Sequence, residues 1–202
     1  MKETKFLKKL ENYRKETLTI DIVKANIYGL LLFIPIAIMF IFPYILIWSE
    51  QFSFAAIREF SKQLVETHFV VFFWGLLIFL GGIIIHELIH GIVFAIYAKG
   101  GFRSIRFGVM WKMLTPYCHC KEPLLVKHYI LGAVMPAIML GIIPAIASII
   151  IGSFGLLLFG VFFTMAGIGD FMVIHLLRNE KMNDMVQDHP SEAGCYIFRK
   201  EG

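Results

Sequence analysis

The segment His86-Glu87-Leu88-Ile89-His90 sets two imidazoles four residues apart with a carboxylate beside the first. On a helix, positions four apart lie on one face with about 5–6 Å between their Cβ atoms. Two rings so placed can bind one zinc ion. Glu87 is one step round from His86, so it is not a ligand in this arrangement. It can reach a water on the metal and take its proton. Zinc lowers the pKa of such a water to about 7 and polarises a carbonyl, so the chemistry is hydrolysis. Glu87 would then pass the proton to the leaving amine.

The surroundings of the motif sharpen this reading. Ionisable side chains are costly inside lipid, hence rare there and functional by default. Of fifteen acidic residues, only Glu87 and Asp170 fall well inside an apolar stretch. His86 and His90 lie equally deep, and no lysine or arginine does. A catalytic zinc takes three protein ligands and one water, and Asp170 is the best third, the competing reading being that it only caps a polar network. His86 lies 17 residues after Phe69 and Asp170 lies 16 after Phe154, at the starts of two stretches running the same way. At 1.5 Å per residue they reach similar depths. His175, five residues beyond Asp170, faces elsewhere and is a weak candidate. Cys118-His119-Cys120 looks like a soft metal cluster, but ordinary loop residues are the favoured explanation.

The elements that must hold these residues can be read from composition and patterning. The chain has 202 residues, 58% hydrophobic and 17% charged, against about 45–50% and 25% for soluble domains. Four apolar stretches, Ile27–Trp48, Phe69–Ala98, Tyr129–Ile151 and Phe154–Leu177, each meet the roughly 20 residues a spanning helix needs. The expected fold is an all-α integral membrane protein of about four transmembrane helices, forming one domain over residues 1–202. Seven Lys/Arg precede the first stretch, six lie between the second and third, and four follow the last. Only Arg58 and Lys62 occupy the remaining loops, so both termini should be cytoplasmic. The net charge of +4 then reads as attraction to anionic lipid, with no nucleic-acid partner. Cys118, Cys120 and Cys195 fall on the reducing side, where no disulfide framework is expected.

Residues 1–26 pattern as a cytoplasmic amphipathic helix, with Phe6, Leu10 and Tyr13 on one face, or equally as a solvated charged tail. Residues 49–68 show a weak helical pattern. Between the second and third spans, Ile105, Phe107, Val109, Trp111 and Met113 alternate with other residues, which predicts a strand. Thr115-Pro116 is a turn signal and Tyr117–Cys120 a return strand, giving a cytoplasmic β-hairpin-like loop. Its open edge could accept an extended peptide, and a purely structural hairpin is the equal alternative. Residues 178–202 form a cytoplasmic tail. Gly81, Gly82, Gly91, Gly167 and Gly169 could allow close helix approach. Pro136 and Pro144 free backbone groups near the depth of the site, with helix kinking as the simplest reading.

Taken together, His86–Gly91, Tyr117–Leu124, Pro136, Gly167-Ile168-Gly169-Asp170 and Asp188-His189-Pro190 resemble a family of small bacterial membrane zincin peptidases. More distantly they are similar to the site-2 protease class of intramembrane zinc metalloproteases. The resemblance covers about residues 81–190. It implies Zn²⁺ held by His86, His90 and Asp170, with Glu87 as the catalytic base. It also implies a membrane-protein or peptide substrate cut within or near the bilayer. Site-2 proteases commonly carry an asparagine beside a later proline; Ala133-Val134-Met135-Pro136 has none, so no oxyanion residue is assigned. Two other functions compete: a non-proteolytic zinc scaffold or sensor, and an ion transporter. A retained Glu87 favours hydrolysis over the first, and the scarcity of other polar groups in the spans disfavours the second.

Overall fold

The structure, a computed structural model, describes residues 13–111, 115–189 and 194–200. Four of its helices are long and apolar enough to cross a membrane: Ile27–Ile47, Phe69–Tyr97, Val126–Ile151 and Phe154–Asn179. Each lies within a few residues of a stretch expected from hydropathy. Side chains such as Leu30, Phe72 and Ile84 are largely exposed along them, an apolar surface suited to lipid rather than water.

The first span belongs to helix α1 (Ile22–Ile47). The second belongs to α2 (Phe54–Tyr97), unbroken for 44 residues. At 1.5 Å per residue α2 is about 66 Å long, roughly twice the hydrocarbon thickness. The polar stretch from Arg58 to Thr67 is therefore a helical extension rather than a loop. The third span is composite: α3 (Val126–Pro136), a π-helical segment (Ala137–Ile142) and α4 (Ile143–Ile151). The fourth is α5 (Phe154–Ala166) followed, after a break at Gly167, by α6 (Ile168–Leu176).

The expectation of an all-α chain needs correction, because the structure holds two β-sheets. The hairpin pairs β2 (Ile105–Met110) with β3 (Thr115–Cys120), antiparallel, as the alternation predicted, but β2 ends at Met110, and Thr115-Pro116, expected as the turn, pairs within β3 opposite Met110 and Val109. A second, four-stranded sheet was not foreseen. It comprises β1 (Tyr13–Thr19), β4 (Leu124–Leu125), β5 (Met185–Asp188) and β6 (Gly194–Lys200), in the order β1-β6-β5-β4. Its pairs are antiparallel. The amphipathic helix expected over residues 1–26 is thus a strand from Tyr13 to Thr19, while Phe6 and Leu10 lie outside the described residues. Tyr13, Thr17 and Thr19 are strand formers. Arg14, Lys15 and Glu16 give this edge strand the charge that discourages further pairing. Pairing of β1 with β6 joins the two ends of the chain in one sheet.

The chain divides into two compact units, with a boundary inside α2 between His86 and Glu87. The unit holding both sheets has a core of Phe94, Cys120, Leu124, Val126, Tyr129, Leu177, Val186, Cys195 and Ile197. The first N–H groups of α3 donate to loop carbonyls, Val126 to Asp184 at 2.9 Å and Lys127 to Met182 at 3.3 Å. Arg199 on β6 ties the sheet together by pairing with Glu180 at 2.7 Å and with Glu16. The other unit packs Phe40, Tyr44, Ala145, Leu157 and Val161. Its tight turn between α4 and α5 depends on Gly152, whose φ is +73°. Any side chain at that position would also strike Trp48. Trp48 Nε1 donates to Ile149 O and Gln51 Nε2 to Gly152 O, both at 2.9 Å, satisfying the end of α4.

Candidate metal centre

His86 and His90 stand one turn apart on α2, and both are buried. The ring of His86 lies beside Phe163, with centroids 6.4 Å apart. Phe163 reaches it because Gly82, one turn earlier, has no side chain; a Cβ there would strike the Phe163 ring. Gly91 serves similarly on the other flank, where a Cβ would meet Phe107 of β2. Gly81 and Gly169 face open space within 4 Å, so the expectation of close helix approach applies to Gly82 and Gly91 and not to those two.

Two contacts fix the His90 ring. Its Nδ1 lies 2.9 Å from the carbonyl oxygen of Gly132. Its face stacks on Phe94, centroids 5.9 Å apart, and Phe94 stacks in turn on Tyr129 at 5.2 Å. A carbonyl can only accept, so Nδ1 carries the hydrogen, and in the neutral ring Nε2 is left with the lone pair. Nε2 lies 3.3 Å from Asp170 Oδ1. A cation shared by the two atoms, either a metal ion or the proton of an imidazolium, accounts for this approach.

Asp170 owes its position to the break in the fourth span. Gly167 ends α5, and Asp170 falls in the first turn of α6. A carboxylate there is favoured by the helix dipole. One ligand atom from each of His86, His90 and Asp170 lies within 4.8 Å of the other two. This is the one such group of three among the described residues. Ligand atoms about 2.0–2.1 Å from zinc at a tetrahedral angle sit about 3.3 Å apart, which matches the His90–Asp170 separation. The donor set of two imidazoles and one carboxylate suits a catalytic zinc, which takes a water as its fourth ligand.

The other sequence candidates fall outside this group. His175 is exposed at the end of α6, where its carbonyl accepts from Arg178 at 3.0 Å. His119 faces Asp188 at 4.0 Å. Cys118, Cys120 and Cys195 are free thiols. Burial raises the pKa of all three, Cys120 and Cys195 to about 12, and none of them joins the group of His86, His90 and Asp170.

The family comparison bears directly on these residues. Residues 79–184, more than half of the chain, match the family described as putative zincin peptidase. The protein belongs to that family. No curated protein and no solved structure matches it. The matched interval of this zincin-family chain takes in His86, Glu87, His90 and Asp170 together with the hairpin. It stops short of Asp188.

Three residues that sequence reasoning left without a role support the centre of this zincin. Asp188 Oδ1 accepts from the Tyr129 hydroxyl at 2.5 Å and Oδ2 from the Cys120 N–H at 2.7 Å. It thereby links the C-terminal tail to the hairpin and to α3. Tyr129 carries that support to His90 through Phe94. Gly132 supplies the carbonyl that orients His90. In the sequence Asp188 stands in an Asp-His-Pro motif and Tyr129 at the start of an apolar stretch. Their pairing joins residues 59 apart in sequence, which no local pattern signals.

Proposed function

We propose that this protein is an intramembrane zinc metalloendopeptidase that hydrolyses peptide bonds of membrane-protein substrates. Zinc would be held by His86 Nε2 or Nδ1, His90 Nε2 and a carboxylate oxygen of Asp170. When bound, it supplies a Lewis acid that acidifies water and polarises the scissile carbonyl. Glu87, on the helical step after His86, takes the proton of the attacking water and delivers it to the leaving amine. Gly132 O holds His90 in the tautomer that leaves Nε2 for the metal. Asp170 balances the cation's charge where an isolated carboxylate would be costly.

The observation that carries this reading is the approach of His90 Nε2 to Asp170 Oδ1 at 3.3 Å, with His86 one turn away and a glutamate between the histidines. Family membership supports peptidase chemistry. The four apolar helices support placement in a membrane, since all four site residues fall within their spans. The asymmetry of lysine and arginine supports cytoplasmic termini and a site in the inner half of the bilayer. The β2–β3 hairpin packs on α2 at Gly91, one residue past the motif, where an extended substrate could lie along a strand edge.

The test uses purified protein in detergent with a zinc assay and a fluorogenic transmembrane peptide, beside Glu87→Gln. Zinc content should be equal in the two proteins, with cleavage lost in the variant. Equal cleavage by both would remove Glu87 from the mechanism. Zinc binding without cleavage of any transmembrane or soluble peptide by the wild type would refute the peptidase assignment.

A further inference from the structure

Helix α3 ends on Pro136, and the carbonyl that receives His90 belongs to Gly132, four residues earlier. In an α-helix the carbonyl of residue 132 accepts from the N–H of residue 136. Proline has no N–H. The backbone therefore withholds the usual donor from the one carbonyl that His90 Nδ1 reaches. Directly after Pro136 the chain passes into the π-helical segment Ala137–Ile142, so the regular bonding pattern does not resume at once. Gly132 itself must lack a side chain, because a Cβ there would strike the Phe94 ring, the ring on which His90 stacks.

We propose that Pro136 is a positioning residue for the zinc site: by lacking an N–H, it leaves the Gly132 carbonyl to accept from His90 Nδ1. The consequence is chemical as well as steric. A carbonyl already engaged by a helical N–H is a poorer acceptor for a second donor in line with it. One relieved of that donor holds the imidazole in a single tautomer and orientation. His90 then presents Nε2, and not Nδ1, towards Asp170. Pro136 is thus more than a kink, and its role does not require an asparagine beside it.

This inference rests on the zinc site proposed above, and its test keeps the two apart. Zinc affinity is measured by competition with a chromogenic chelator, using zinc alone, on full-length protein in detergent. Supporting groups around metal ligands are worth about 10–100-fold in affinity, and P136A should lose that much because its new N–H competes for Gly132 O. P144A, which restores an N–H at the start of α4, should stay within about threefold of wild type on the same scale. The decisive variant is a backbone ester at position 136, with lactic acid in place of Pro136. It has neither the ring nor the N–H, and should bind zinc like wild type.

Zinc binding by P136A within threefold of wild type would overturn the proposal. So would equal weakening in P136A and the ester, which would assign the effect to the ring. A variant that fails to fold leaves a readout on the wild type, where ¹⁵N-histidine spectra of the zinc-loaded protein should show His90 protonated at Nδ1 and bound through Nε2. Binding through Nδ1 would contradict it. A wild type that takes up no zinc fails the underlying site, whereas tight zinc in both wild type and P136A fails this inference alone.

Discussion

Removing the Asp188 carboxylate should destabilise the protein by about 2–4 kcal/mol, from the loss of two buried hydrogen bonds. Asp188 accepts from the Cys120 N–H at 2.7 Å and the Tyr129 hydroxyl at 2.5 Å. Cys120 and Tyr129 are both buried, so in Asp188→Ala each donor is left without its acceptor. That costs about 1–3 kcal/mol per group. Part is returned because the carboxylate itself is held at a cost: burial raises its pKa, against the lowering effect of the two hydrogen bonds. Asp188→Asn keeps one acceptor and turns an NH₂ towards the other donor, for a smaller loss of about 1–2 kcal/mol. The pH dependence has a definite sign. A folded pKa above the unfolded value of about 3.9 means that the group's contribution is complete below that value. It is lost as pH rises through the folded pKa. The deficit of Asp188→Asn relative to wild type should therefore narrow as pH rises. Equilibrium unfolding in detergent, followed by helical circular dichroism from acid to neutral pH, reads both effects. A stability for Asp188→Ala within about 0.5 kcal/mol of wild type, or a deficit that widens with pH, would refute the reasoning.

Two further outcomes follow from the same geometry. Asp170→Asn keeps the volume but removes the charged ligand facing His90 Nε2; its zinc affinity should fall by more than the roughly 10–100-fold of losing a supporting group, as read by chelator competition. Arg199→Ala breaks the pairing with Glu180 and Glu16 and should cost about 1 kcal/mol, allowing for solvent screening at a partly exposed arginine. The Arg199 hydrogen bond lowers the Glu180 pKa, so its stabilisation is present above the unfolded value of about 4.3 and lost as pH falls through the lowered one. Acid titration of stability should show that loss in wild type and not in the variant.

Much of the site was legible because its signals are local or set by depth. The i, i+4 histidines need only a helix, and the apolar run around them supplies it. Asp170 was reachable because two spans of similar phase bring residues at equal distance from their starts to one level. The β2–β3 hairpin followed from alternation alone; Thr115-Pro116, read as its turn, lies in β3 opposite Met110 and Val109. The four-stranded sheet did not, because β1 and β6 pair across nearly the whole chain, and the charges of Tyr13–Thr19 fit a helix face as well as a strand edge. Gly-Cys-Tyr-Ile-Phe in the tail was a strand signal that could have been read. The break at Gly167 was hidden inside one apolar run. The role of Pro136 was half visible: a freed carbonyl could be counted from the sequence, but not that a histidine of another helix would take it.

The central claim is that His86, His90 and Asp170 hold one zinc ion. Zinc K-edge X-ray absorption on the purified protein tests it most directly. The expected spectrum has one zinc per chain with only nitrogen and oxygen neighbours at about 2.0–2.2 Å, two of them showing the outer-shell scattering of imidazole. A sulfur shell near 2.3 Å would move the metal to Cys118, Cys120 or Cys195 and contradict it, as would an unchanged spectrum in His90→Asn.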